Sequence, residues 1–161
     1  MARFEDAIAT VIANEGGWAD HPRDPGGRTR FGISSRYHPE VDLDSLTLEG
    51  AQAIYRRDYW DRHGIGVIDS QEVATKLLDA SVLLGPRPAI RLLQQALRAA
   101  GRPVTVDGII GPETTDATNN APTDALLAAF RSEMAGYLRE RVARNPVKGV
   151  FLRGWENRAY S

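Results

Sequence analysis

Apolar residues recur at helical spacing along most of this chain. In the first segment they fall on one side of a helix that a glycine pair ends, at Phe4, Ile8, Val11 and Ile12. The same periodicity predicts further helices at about 47–60, 71–84, 87–100, 113–119 and 124–145, and residues 151–160 end the chain. Residues 16–40 are rich in glycine, proline and charge, which predicts turns and a short hairpin around 28–34. The fold is therefore predicted to be mainly α, with a small loop and hairpin region.

Glu15 is a lone carboxylate on the apolar stripe of the first helix. An apolar pocket and the negative end of the helix dipole would both resist its ionisation. That is the environment a general acid needs if it is to hold its proton near neutral pH. The alternative is that Glu15 reaches water at a frayed helix end, with Gly16 as an ordinary C-cap.

The loop after Glu15 carries a second carboxylate, Asp24, and a hydroxyl, Thr29. An acid, a carboxylate and a hydroxyl together suit hydrolysis of a glycosidic bond. The acid protonates the leaving oxygen, the carboxylate stabilises positive charge on the sugar or activates water, and the hydroxyl can hold that water. Asp20 competes with Asp24, but Asp24 is held in an Asp-Pro-Gly-Gly turn. This chemistry requires no cofactor.

Aromatic and polar residues near these positions are candidates for contacts with a sugar. Trp18, Asp20 and Tyr37 are assigned to substrate binding. The two aromatic residues are chosen because aromatic faces suit the apolar faces of sugar rings. Trp60 is expected in the core instead. The three histidines have no spacing typical of a metal site, so no metal is expected.

The composition limits the kind of protein and its partners. The chain has 161 residues and no cysteine, which suits one compact unit without disulfides or a cysteine nucleophile. Residues 1–85 carry 9 basic and 14 acidic side chains, a net charge of −5, whereas residues 86–161 carry 11 and 7, a net charge of +4. A positive second half suits an anionic polymer, but the asymmetry is too weak to indicate nucleic acid.

No apolar run approaches the roughly 18–20 residues of a membrane span, and the amino terminus has no signal-peptide pattern. We therefore expect synthesis in the cytoplasm. If the target lies outside the cytoplasm, another protein must then provide the export route. A monomer is expected.

The motif from Glu15 to Ile33 resembles the signature of glycoside hydrolase family 108, the lysozyme-like muramidases of bacteriophages and bacteria. It reads Glu-Gly-Gly-Trp, then Asp-Pro-Gly-Gly-Arg-Thr and Phe-Gly-Ile. The likeness continues through residues 53–60 and 77–82. The resemblance implies a lysozyme-like helical domain with a hairpin lining the cleft, in which Glu15, Asp24 and Thr29 are catalytic. The family usually has Tyr where Trp18 stands, and Asn where this chain has Leu84.

The second half resembles the peptidoglycan-binding region that often follows such a catalytic region. The likeness lies in residues 92–97, 106–112 and 151–158. We therefore predict a catalytic region at 1–85 and a peptidoglycan-binding-like region at 86–161, packed together. Asp79 is expected to be a buried hydrogen-bonding residue, Asp107 to bind backbone N–H groups in a turn, and the segment with Arg158 to dock the terminus.

The sequence thus predicts a muramidase that cleaves the β-1,4 bond between N-acetylmuramic acid and N-acetylglucosamine in peptidoglycan. One alternative is a lytic transglycosylase, which needs one acid and no water. Another is a non-catalytic peptidoglycan-binding protein. A retaining or an inverting course stays open, because the sequence does not fix the distance between the carboxyl groups.

Overall fold

The computed structural model describes residues 1–16, 18–19 and 28–161, with the backbone alone at 18–19. Its α-helices are α1 (Phe4–Glu15), α2 (Leu48–Tyr55), α3 (Gln71–Leu84), α4 (Pro86–Ala99), α5 (Pro112–Asn119), α6 (Thr123–Arg144) and α7 (Leu152–Tyr160). Three shorter helical segments are the π-helical turn Arg56–Asp61 and the 3₁₀ turns Ile65–Val67 and Pro146–Phe151. The mainly α prediction is confirmed.

The helix boundaries follow from local signals in the sequence. The Thr47 side chain accepts a hydrogen bond from the N–H of Gly50 and caps α2, as expected, and Ser70 caps α3 in the same way. Proline begins α4 and α5, where its missing N–H costs nothing. The helix predicted to reach Trp60 changes to π-helical geometry after Tyr55, so its extent is right but its regularity is not.

The described strands form one small antiparallel sheet in the order β1 (Trp18–Ala19), β2 (Thr29–Arg30) and β3 (Ile33–Ser34). Phe31 and Gly32 join β2 to β3, with φ angles of 51° and 78°. Two successive positive φ values are the mark of a type I′ turn, which matches the twist of a hairpin. The hairpin predicted around 28–34 is confirmed.

Helix α3 lies at the centre of the molecule and packs against α1, α4 and α6. Helix α6 also packs against α4 and α7. The side chains of α3 that fill this centre are fully buried, among them Ala74, Leu77, Leu78 and Ala80. Trp60 is also in the core, at 5% exposure, as expected. As a result, the last helix, α7, lies on the side of the molecule where α1 ends.

Among the helices of the described residues, none combines the length and the apolar character that crossing a membrane requires.

The loop between α4 and α5 is held by one buried side chain, Gln94. Its amide nitrogen donates to the Asp107 carboxylate, to the Ile109 carbonyl and to the Thr114 hydroxyl, at 2.8–3.1 Å. Its amide oxygen accepts from the N–H of Gly108 at 2.9 Å. Asp107 also accepts from the N–H of Ile109, as the sequence predicted. Gln94 therefore fixes the 107–109 turn against α4.

Replacing Gln94 with Met should destabilise the protein by about 3 kcal/mol, because buried polar groups lose their partner at nearly constant volume. Chemical denaturation followed by circular dichroism measures this change. Gln95→Met, on the exposed side of the same helix, is the control and should change stability by less than about 0.5 kcal/mol. Equal effects of the two substitutions would contradict the assigned role of Gln94.

Candidate active site

A cleft of about 960 Å³ opens beside the end of α1. Its walls come from the β2–β3 hairpin, the π-helical turn, the junction of α3 with α4, and one residue each of α6 and α7. Glu15, Thr29 and Tyr37, three of the side chains predicted for the site, line this cleft. These residues are separated in the sequence, and they meet at one cleft because the hairpin folds back towards the end of α1.

Glu15 lies at the wall of the cleft with 20% of its side chain exposed. Its Oε1 atom is 2.6 Å from Nη1 of Arg158, on α7. The expectation of a purely apolar pocket is therefore wrong, because the last helix brings a guanidinium against the carboxylate. The alternative of a frayed end that reaches water is also not what the structure has, since Glu15 is mostly covered.

Arg158 joins Glu15 to the buried Asp79 of α3. Its Nε and Nη2 atoms lie 3.0 and 2.8 Å from Oδ1 of Asp79, which is 2% exposed. Burial alone would lower the pKa of Arg158, but hydrogen bonds and charges from Asp79 and Glu15 outweigh it and raise that pKa. Arg158 therefore stays charged and shares its charge between two carboxylates.

Two further side chains complete the cluster around Asp79. Asn14 donates to Oδ1 of Asp79 at 2.9 Å, and Lys76 donates to the backbone carbonyl of Arg158 at 2.5 Å. Burial lowers the pKa of Lys76 to about 8. The buried, hydrogen-bonded role predicted for Asp79 is confirmed. The segment with Arg158 does dock the terminus, but it also reaches the cleft, which the sequence analysis did not foresee.

The other side of Glu15 faces Gly32 and Tyr55. A Cβ atom at Gly32 would lie 2.3 Å from the Tyr55 hydroxyl, 2.8 Å from Cγ of Glu15 and 2.9 Å from its Oε2. The Tyr55 hydroxyl donates to the Phe31 carbonyl at 2.9 Å. Burial, and then the charge of Glu15, raise the pKa of Tyr55, so this phenol remains a donor. The hairpin turn is thereby fixed against the carboxylate.

The remaining predicted site residues have different outcomes. Thr29 lies on β2 and Tyr37, 74% exposed, lies at the rim of the cleft. The backbone of Trp18 pairs with Arg30, while its side chain lies outside the described part. Asp20 and Asp24 also lie outside the described residues. Their assigned roles stay predictions.

A further acid in the cleft, Asp58, is held by its neighbour Arg57 through two contacts of 2.6 and 2.7 Å. The hydrogen bonds from Arg57 lower the pKa of Asp58. His38 lies 3.5 Å from Glu40 and 4.0 Å from Asp58. Within residues 1–16 and 28–161, no three acidic or histidine side chains come together in a way that could hold a metal ion.

Comparison with known families now identifies two regions of the chain. Residues 8–85 match the family described as Glycosyl hydrolase 108, and residues 88–160 match the Predicted Peptidoglycan domain. The chain thus carries a glycosyl hydrolase 108 region followed by a peptidoglycan region. It is therefore a glycoside hydrolase of the lysozyme type. The peptidoglycan region that follows the hydrolase region supports peptidoglycan as the substrate.

The chain also resembles a solved structure, that of Brucella abortus SagA. The two are 29% identical, with 97% of this chain and 88% of that chain covered and a TM-score of 0.80. The shared fold therefore includes both regions. None of the curated proteins matches this chain.

Sequence reasoning missed Arg158, Tyr55 and Gly32 as parts of the site. One signal for Arg158 was present, because a buried carboxylate such as Asp79 needs a cation close by. Gly32 belongs to the Phe-Gly-Ile motif of the sequence, and glycine is needed there because a Cβ atom would meet Tyr55 and Glu15. The partnership of Tyr55 with the hairpin left no local signal in the sequence.

Replacing Gly32 with Ala should cost about 1 kcal/mol for the left-handed backbone and about 2 kcal/mol more because Tyr55 or Glu15 must move. The displaced carboxylate should reduce the release of reducing ends from peptidoglycan about 10²-fold. Gly101→Ala is the matched control, since Gly101 also has a positive φ (77°) but a Cβ there would meet nothing within 4 Å. An active, stable Gly32→Ala protein would disprove the crowding argument.

Replacing Arg158 with Met should destabilise the protein by about 3–5 kcal/mol, because the buried carboxylate of Asp79 loses its cation. Thermal and chemical unfolding measure the loss. Adding Asp79→Asn should recover part of it, since the uncompensated charge is then removed. Arg153→Met, at an exposed position of the same helix, should have little effect. Additive losses from the Arg158 and Asp79 changes would show that the two residues are not coupled.

Proposed function

We propose that this glycoside hydrolase is an N-acetylmuramidase that cleaves the β-1,4 bond between N-acetylmuramic acid and N-acetylglucosamine. The observation that carries the proposal is Glu15, mostly covered and fixed at the wall of a cleft large enough for sugar rings. In this proposal Glu15 is the general acid that protonates the glycosidic oxygen. The glycosyl hydrolase 108 region supports the reaction class.

The two oxygens of Glu15 have different surroundings, so we assign them different roles. Arg158 holds Oε1, so Oε2 is the oxygen that would carry the proton. Oε2 lies on the side of Gly32, a residue of the cleft wall. A carboxyl group fixed through one oxygen presents the other in one direction, which lowers the entropic cost of proton transfer.

Asp24 and Thr29 complete the proposed mechanism. Asp24 would stabilise the positive charge that develops on the sugar or activate water, and Thr29, on the cleft wall, would hold that water. A hydroxyl placed to hold water favours hydrolysis over the formation of an anhydro sugar. Asp58 is a weaker candidate for the second carboxylate, because both of its oxygens are occupied by Arg57.

We further propose that the enzyme acts as a monomer on the cell wall after export or lysis, through a holin or a particle-release system. The support is the pairing of a hydrolase region with a peptidoglycan region. We infer a role in a bacteriophage from the sequence resemblance to bacteriophage muramidases.

Replacing Glu15 with Gln should lower the release of reducing ends from purified peptidoglycan about 10²- to 10⁴-fold, since the amide has no proton of comparable acidity to give. Glu49→Gln, an exposed acid in the first turn of α2, is the control and should retain full activity. Unchanged turnover by Glu15→Gln would remove the proposal.

The products distinguish the three candidate functions. Mass spectrometry of the soluble fragments should find hydrated muramic acid ends. Anhydromuramic ends would instead identify a lytic transglycosylase. Co-sedimentation with sacculi without any soluble fragment would identify a non-catalytic binding protein.

A further inference from the structure

A second cavity, of about 600 Å³, adjoins the catalytic cleft. Arg62 and His63 line both cavities, so the two cavities are neighbours at these side chains. The other walls come from the start of α4, with Arg87 and Ile90, and from the 108–110 segment. We call this cavity the side pocket. It lies where the first and second regions of the chain meet.

The side pocket carries an excess of positive charge, since two guanidinium groups, Arg62 and Arg87, lie beside one lining carboxylate, Asp61. Arg62 and Arg87 are exposed, and neither forms an ion pair with any residue of the described ranges. Asp61 lies 3.9 Å from Arg56, which is paired more closely with Glu5 at 2.9 Å, so Asp61 offsets part of the charge of the two arginines. Burial and then the charges of Arg62 and Arg87 lower the pKa of His63, which adds a neutral imidazole between the two cations. An anionic group would complete this arrangement.

The wall formed by the 108–110 segment is rigid because Gln94 fixes the turn at its start. A Cβ at Gly108 would lie 3.1 Å from the Arg87 carbonyl and 3.3 Å from Cγ of Arg91, so the turn sits directly on α4. The N–H of Gly108 is bound to Gln94. Ile109 is 53% exposed and presents an apolar surface beside the cations. The pocket thus offers two exposed cations next to a small apolar surface that lies on a fixed turn.

We propose that the side pocket binds the stem peptide of peptidoglycan through its free carboxylates while the cleft binds the glycan. This inference rests on the proposed muramidase function. In peptidoglycan the peptide branches from the muramic acid itself, so a strand seated in the cleft directs a peptide into an adjoining space. Guanidinium groups bind carboxylates with two parallel hydrogen bonds, and Ile109 suits the methyl groups of alanine residues.

The decisive variants change Arg87, which lines the side pocket but not the cleft. Their activity is measured on teichoic-acid-free sacculi in three forms: intact, stripped of peptides by an amidase, and with the peptide carboxylates amidated. On intact sacculi, Arg87→Gln should lower kcat/KM about three- to tenfold, and Arg87→Glu further. On the stripped and amidated forms both variants should match the wild type. Arg98→Glu, exposed on the same helix, is the control with the same charge change.

A binding measurement separates this inference from the proposed function. The tripeptide L-alanyl-γ-D-glutamyl-diaminopimelate is titrated into the full chain, and the His63 ring signals are followed by NMR. We expect a saturable shift with the wild type that Arg87→Glu abolishes. Equal losses by the Arg87 variants on all three substrates, unchanged activity on intact sacculi, or no saturable shift would overturn the stem-peptide assignment. A wild type that binds the tripeptide but releases no reducing ends would overturn the muramidase proposal alone.

Discussion

The structure depends on the neutralisation of one buried carboxylate, that of Asp79. A charge in the centre of a helical core costs several kcal/mol unless a cation and hydrogen bonds compensate it. Arg158 supplies the cation and Asn14 a further hydrogen bond, while Lys76 binds the backbone of Arg158. These contacts join α1, α3 and α7, which come from the beginning, the middle and the end of the chain. The same guanidinium then reaches Glu15, so one side chain both neutralises the buried Asp79 and holds the carboxylate at the cleft wall.

This sharing makes the two regions of the chain interdependent. The family assignments divide the sequence between residues 85 and 88, yet the cleft takes residues from both sides of that division. Arg141 and Arg158 come from the peptidoglycan region, while Glu15 and the hairpin come from the hydrolase region. The net charge of −5 in residues 1–85 and +4 in residues 86–161 has a local counterpart in the pair of Arg158 with Glu15. The second region therefore also builds part of the wall of the cleft.

The sequence predicted the features that nearby residues determine. The helix periods, the Thr47 cap, the hairpin around the Phe31–Gly32 turn and the burial of Asp79 all follow from local pattern or from the chemistry of one residue. Glu15 could be singled out because a carboxylate on an apolar stripe is unusual. Its partner Arg158 could not, since nothing local says which of many arginines will reach a given acid. The π-helical turn after Tyr55 also escaped prediction, because tertiary packing rather than propensity selects such geometry.

Two different kinds of neighbour hold Glu15, a guanidinium on one side and a hairpin turn on the other. On one side a guanidinium, itself anchored on Asp79, binds a single oxygen. On the other side the hairpin comes so close that the residue at its turn has no room for a Cβ atom. Phe31 accepts a positive φ in this turn, and the Tyr55 hydroxyl binds its carbonyl. A carboxyl group confined in this way has little freedom to rotate, so its orientation is set during folding, before any ligand enters the cleft.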